Sequence, residues 1–237
     1  MIHRHGLAGK HLCEDLNVTL KTVVKIVNFI KARPLNKRIF AQLCEDEAHQ
    51  TLLLHTEVRW LSRGRVLVRF MELKNQIRDF LTVHNQKLSE EMTDEFLIKT
   101  SYLADIFSLF NEAKKRMQSA DANVMEWKET VDAFVRKVEY RMKKMATGDL
   151  QQSGGKLPDA LARQFTRHME ELQVEMHSRF SDVNEHVSKD AWVMDPFLAK
   201  EENVKHLQAE DEPMDIKSNS LCKRFYAEHM DTSGFGL

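Results

Sequence analysis

The chain has 237 residues, 30% charged and 42% hydrophobic, with only 8 Gly and 4 Pro against 12 Met, the composition of a protein rich in long helices. A formal net charge of −1 excludes global attraction to nucleic acid, so any such binding must come from a local basic patch. The three cysteines, Cys13, Cys44 and Cys222, form no CxxC pair and fit a reducing compartment better than a disulfide framework. No apolar run approaches the ~18 residues of a membrane span. The opening Met1-Ile2-His3-Arg4-His5 lacks the apolar stretch of a signal peptide.

His3, His5, His11 and Cys13 could ligate zinc by residue type, but no second pair with finger-like spacing follows, and the plainer reading is a polar leader. From Leu12 to Lys31, Leu16, Leu20, Val23, Val27 and Ile30 recur at helical spacing. Pro34 should end that helix, because the residue before a proline is pushed out of the α region. Leu35 to Glu47 reads as a second, shorter helix with Leu35, Ile39, Leu43 and Cys44 inward, and Thr51 to Leu54 as a strand or an extended connector.

The organising stretch is His55-Thr56-Glu57-Val58-Arg59-Trp60-Leu61-Ser62-Arg63-Gly64-Arg65-Val66. Behind it Val66, Phe70, Leu73, Ile77, Phe80 and His84 step by four and three, which predicts one long helix over 62–86 with Ser62 as N-cap. Arg65 stands where a capping box would place Glu, and Arg59, Arg63, Arg65 and Arg69 crowd the positive end of the helix dipole. Either an anion sits there, or Glu57 and acids of neighbouring helices neutralise the charge.

Thr93-Asp94-Glu95 opens a further helix whose apolar residues lie on more than one face, as in a helix buried between others. Residues 123–145 continue as a helix with Trp127, Val131, Phe134, Val138, Met142 and Met145 on one side, and its terminal cations suit the helix C-terminus. Thr147 to Pro158 is the clearest loop, and Leu161 to Val187 carries a heptad-like stripe that reads as bundle core. Past Lys189 come an apolar plug at Trp192–Phe197, an acidic stretch, a short helix over 216–226 and a frayed tail. This divides the chain into 1–60, 61–188 and 189–237.

No phosphate-binding loop, dinucleotide fingerprint, nucleophile elbow or HExxH is present. The sequence therefore offers no catalytic residue, no metal-ligand set and no cofactor. Trp60 among arginines could stack on a base or a guanidinium, or simply anchor its helix.

The run from His55 to Gly64 resembles a segment of hAT-superfamily transposases and their domesticated descendants. The nearest subgroup is the SCAN-domain-containing and zinc-finger BED-domain-containing proteins, with the general-transcription-factor-II-I-repeat proteins close by. Ile2-His3-Arg4 with Leu7, Val24–Lys31 with Leu35-Asn36, Phe70–Leu73, Tyr102–Phe107 and Trp192–Phe197 follow in the family's order. The resemblance implies a mainly α, elongated helical bundle of insertion type, with at most a remnant of an RNase H-like α/β core. Family chemistry is metal-dependent strand transfer by an Asp-Asp-Glu triad. The segments bearing that triad have no counterpart here, so the expectation is a protein that is not an enzyme.

The resemblance points to a transposon-derived nuclear protein, otherwise cytoplasmic, that binds DNA, or a protein partner or itself, with no membrane and no small-molecule substrate. The alternatives are an inactive transposase fragment and a helical interaction scaffold. Arg59, Trp60, Arg63 and Arg65 are the expected DNA-contact set; in family relatives the matching Trp lies near the DNA end, where it helps hold a flipped base.

Overall fold

The computed structural model describes residues 12–44, 62–119, 124–146, 157–181, 215–216 and 218–224. The chain divides into two compact units, Met1–Arg179 and Phe180–Leu237. The fold is mainly α, and among the described residues there is no strand.

Helix α1 (Glu14–Ala32) begins with Glu14 and Asp15, whose charge suits the positive end of the helix dipole. Its Leu16, Leu20, Val23, Val27 and Ile30 are buried, as the periodicity predicts. Arg33 is extended at φ −107°, ψ 122°, because Pro34 follows it. The same proline then opens α2 (Pro34–Leu43) at a position where its missing N–H costs nothing. Asn36 fastens the corner by donating from Nδ2 to the Phe29 carbonyl at 3.1 Å.

The inward face of α2 differs from the sequence expectation. Cys44 is buried, but Leu35 is 62% and Leu43 48% exposed, while Asn36 and Phe40 point inward. The reason is the larger ring. Phe40 meets Phe80 edge-on at 5.7 Å, and turning the helix to bury Leu35 would withdraw that ring from the core.

The long helix predicted over 62–86 is three: α3 (Ser62–Glu72), α4 (Lys74–His84) and α5 (Gln86–Glu90). Leu73, at φ −100°, ψ 15°, is a local distortion and not an end. Its N–H still donates to Arg69 at 3.1 Å, and its carbonyl accepts from Ile77 at 2.9 Å. The apolar stepping therefore passes through it unchanged. Asn85, at φ −161°, ψ 80°, is a true break, and its Oδ1 accepts from the Leu88 N–H at 3.2 Å to cap α5.

Helix α6 (Asp94–Met117) is capped by Thr93, whose Oγ1 accepts from the Phe96 N–H at 3.1 Å. It packs against α1, α3 and α7 at once, which explains its apolar residues on several faces. Helix α7 (Val124–Ala146) meets it through Phe134, whose ring lies 4.8 Å from that of Phe110. Helix α8 (Asp159–Arg179) packs on α7 and buries Leu161, Phe165, Met169, Leu172 and Met176, the first five members of the heptad-like stripe.

In the second unit, residues 220–224 are helical, and Asn219 Oδ1 accepts from the Leu221 and Cys222 N–H groups at 3.0 and 3.1 Å. The sequence expectations for His3, His5 and His11, Thr51–Leu54, Arg59-Trp60, the body of the loop before Pro158, and Trp192–Phe197 lie outside the described residues.

Candidate anion-binding groove

Gly64 sits where α3 and α6 approach each other. A Cβ there would stand 2.5 Å from Asn111 Nδ2, 3.1 Å from Phe107 Cβ and 3.4 Å from the Phe107 carbonyl oxygen. The absent side chain lets the two backbones come together, the usual reason for glycine inside a helix despite its propensity cost of about 1 kcal/mol. Beside this close approach the helices splay around an open groove of about 450 Å³. Arg65, Val68, Arg69 and Glu72 line it from α3; Ser108, Asn111, Glu112 and Lys115 line it from α6.

The carboxylates of the groove are engaged. Glu72 takes Arg69 at 2.7 Å, and Glu112 takes Lys137 of α7 at 2.5 Å. Arg65 and Lys115 are exposed, and neither is in an ion pair among the described residues. The first turn of α3 contains no acid, so the helix dipole adds positive potential on the Arg65 side. Two cations facing one groove beside a helix N-terminus suit a phosphate or a carboxylate.

Of the four residues expected to touch DNA, the structure places Arg65 on the groove wall. Arg63 belongs to the first turn of α3, with its side chain outside the described residues, as are Arg59 and Trp60. Lys115 and Asn111 were not expected. Their only trace in sequence is the polar spacing Ser108, Asn111, Lys115, which gives a helix face but not the helix it meets.

A second polar cluster ties α1 and α8 to α6. Lys99, 7% exposed, reaches Asp15 and Glu95, each at 2.6 Å. Hydrogen bonds from Lys99 and Gln164 hold the Asp15 carboxyl below its usual value, and Lys99 is raised because these partners outweigh its burial. Gln164 also donates to Cys13 Sγ at 3.4 Å. Deeper in, the Tyr102 ring stacks on Phe165 at 4.0 Å, and its hydroxyl lies 2.6 Å from Nδ1 of His168, which is 2% exposed. Burial pushes the phenol well above its ordinary pKa, so it stays protonated. Either tautomer of His168 keeps this pair bonded.

This arrangement is a clamp between helices. Tyr102→Phe keeps the ring stack but removes that hydroxyl from His168. It is expected to cost about 1–3 kcal/mol, read from urea unfolding.

A mainly helical bundle carries the groove, and among the described residues no group of three or more His, Cys, Asp or Glu side chains could hold a metal ion. No described helix is long and apolar enough to cross a membrane. That is the class: a helical domain whose distinguishing surface is a charged inter-helix groove. The family model described as the FAM200/GTF2IRD2 helical domain matches residues 1–146, more than half of the chain, and the chain belongs to that family. The family is transposase-derived, so this is a transposon-derived protein. No solved structure matches it.

Proposed function

We propose that this chain is a non-catalytic nuclear protein of hAT-transposase descent, within the SCAN-domain-containing and zinc-finger BED-domain-containing group, that binds DNA through the arginine-bearing start of α3. The observation that carries this reading is the pairing of Arg65 with Lys115 across the α3–α6 groove, at a helix start with no acid in its first turn. DNA phosphates offer the repeated negative charge that such a surface recruits. Arg59, Trp60 and Arg63 extend the same contact along the chain, the arginines to phosphate and the indole to an unstacked base. The family is described by its helical domain, which fits binding without strand-transfer chemistry.

The test is binding of the purified chain to a labelled hairpin-ended DNA across a salt series. Affinity should fall steeply with salt. Arg65→Glu and Lys115→Glu should each weaken binding by about tenfold and reduce the salt slope by about one phosphate contact. Trp60→Ala should weaken binding with little change in slope. Binding that is absent, or equal in all three variants, overturns the proposal.

A further inference from the structure

The outward face of α2 combines two features that rarely stand unpartnered. Leu35 and Leu43 are 62% and 48% exposed, with half-buried Ile39 between them on the same side of the helix. Eight residues along an α-helix is roughly 12 Å, so the stripe runs over about two turns. From Ala32 to Cys44 the charge has one sign, ahead of the acidic Glu45-Asp46-Glu47 that follows in sequence. Arg38, three residues after Leu35, borders the stripe, and Lys31, Arg33 and Lys37 gather at the α1–α2 corner. No acid occurs from Ala32 to Cys44. None of the four cations is in an ion pair among the described residues.

We propose that α2 is a docking face for an acidic amphipathic helix of a protein partner, whose apolar residues cover Leu35, Ile39 and Leu43 and whose carboxylates meet Arg38 and the corner cations. Charge complementarity selects this occupant. An anionic duplex would satisfy the cations, but it would leave two exposed leucines facing phosphate and water, where they gain nothing. A partner helix with leucines at i, i+4 and i+7 and glutamates between them satisfies both features. Burial, and after it the neighbouring Lys37, pushes the Lys31 ammonium down to about 8, and incoming carboxylates would favour its charged form. The face is separate from the α3–α6 groove, so it serves a different ligand.

The experiment is fluorescence anisotropy with a labelled synthetic peptide bearing leucines at i, i+4 and i+7 and glutamates elsewhere. A second peptide replaces every glutamate by lysine. The full chain is expected to bind the acidic peptide and not the basic one. The Leu35→Ser/Leu43→Ser variant should lose about tenfold or more in affinity, equivalent to about 1.4 kcal/mol. Arg38→Glu should lose a similar factor and flatten the salt dependence. All three side chains are exposed, so helical circular dichroism should stay unchanged. Equal binding of the two peptides, or wild-type affinity in the double-serine variant, overturns the proposal. So does loss of binding to DNA or to phosphatidylserine vesicles in the double-serine variant when the acidic peptide is not bound at all.

Discussion

Replacing Gly64 by leucine is expected to lower the unfolding free energy of the Met1–Arg179 unit by about 1–3 kcal/mol, visible as an earlier urea midpoint. The added Cβ alone stands 2.5 Å from Asn111 Nδ2 and 3.1 Å from Phe107 Cβ. The first neighbour is the end of a flexible side chain and can swing away. The second is fixed by the backbone of α6, and a leucine adds three further carbons in the same space. Alanine is the instructive contrast. It meets the same two atoms but gains up to about 1 kcal/mol of helix propensity, so Gly64→Ala should lie within about 1 kcal/mol of wild type. Removing Asn111 Nδ2 with Asn111→Ala should improve the alanine variant and leave the leucine variant impaired. If Gly64→Leu melts as wild type does, α3 and α6 do not approach here as described, and the groove beside them loses its basis.

Phe80→Ala is expected to cost more, about 3–5 kcal/mol. The ring is 1% exposed and joins three helices. It lies 5.7 Å from Phe40 of α2, 6.4 Å from Phe29 of α1 and 4.5 Å from His84 of its own helix. Truncation leaves a cavity that the surrounding backbones cannot close, and it removes the edge-on partner that turns α2 toward the core. The melting temperature should fall by roughly 10 °C, taking about 2–4 °C per kcal/mol for a unit of this size. Val83, three residues on and 78% exposed, is the control. Val83→Ala should change stability by no more than about 0.5 kcal/mol.

Much of the helix inventory is readable from apolar spacing, because burial of one face is what holds each helix. Leu16 to Ile30 and Leu161 to Met176 behave as their periodicity demands. Thr93 is legible as a cap because a hydroxyl before an acidic first turn has few other uses. The interruption at Leu73 is not legible, since hydrogen bonding continues across it and the apolar stepping never falters. Asn85 could have been read as a break, being a good cap residue in the middle of a long periodic run.

The face of α2 is misleading for a different reason. Leu35, Ile39 and Leu43 are evenly spaced, but spacing does not weigh one aromatic ring against three aliphatic side chains. The groove is legible only on its α3 side, as a glycine among arginines. Its α6 side exists because Gly64 lands on Asn111, a tertiary fact that no local pattern encodes.

The attachment of α8 bears on where this domain ends as a physical unit. The family model matches residues 1–146, as far as the last residue of α7, yet the packing does not stop there. Phe165 lies flat on Tyr102 of α6, and Met169 and Leu172 are closed off from water in a helix that packs on α7. The matched segment is thus shorter than the unit that packs together. Residues beyond 146 share the same interior, so a change in α8 is felt in the helices of the matched segment. What can stand at Phe165, Met169 and Leu172 is therefore limited by what Tyr102 and its neighbours present.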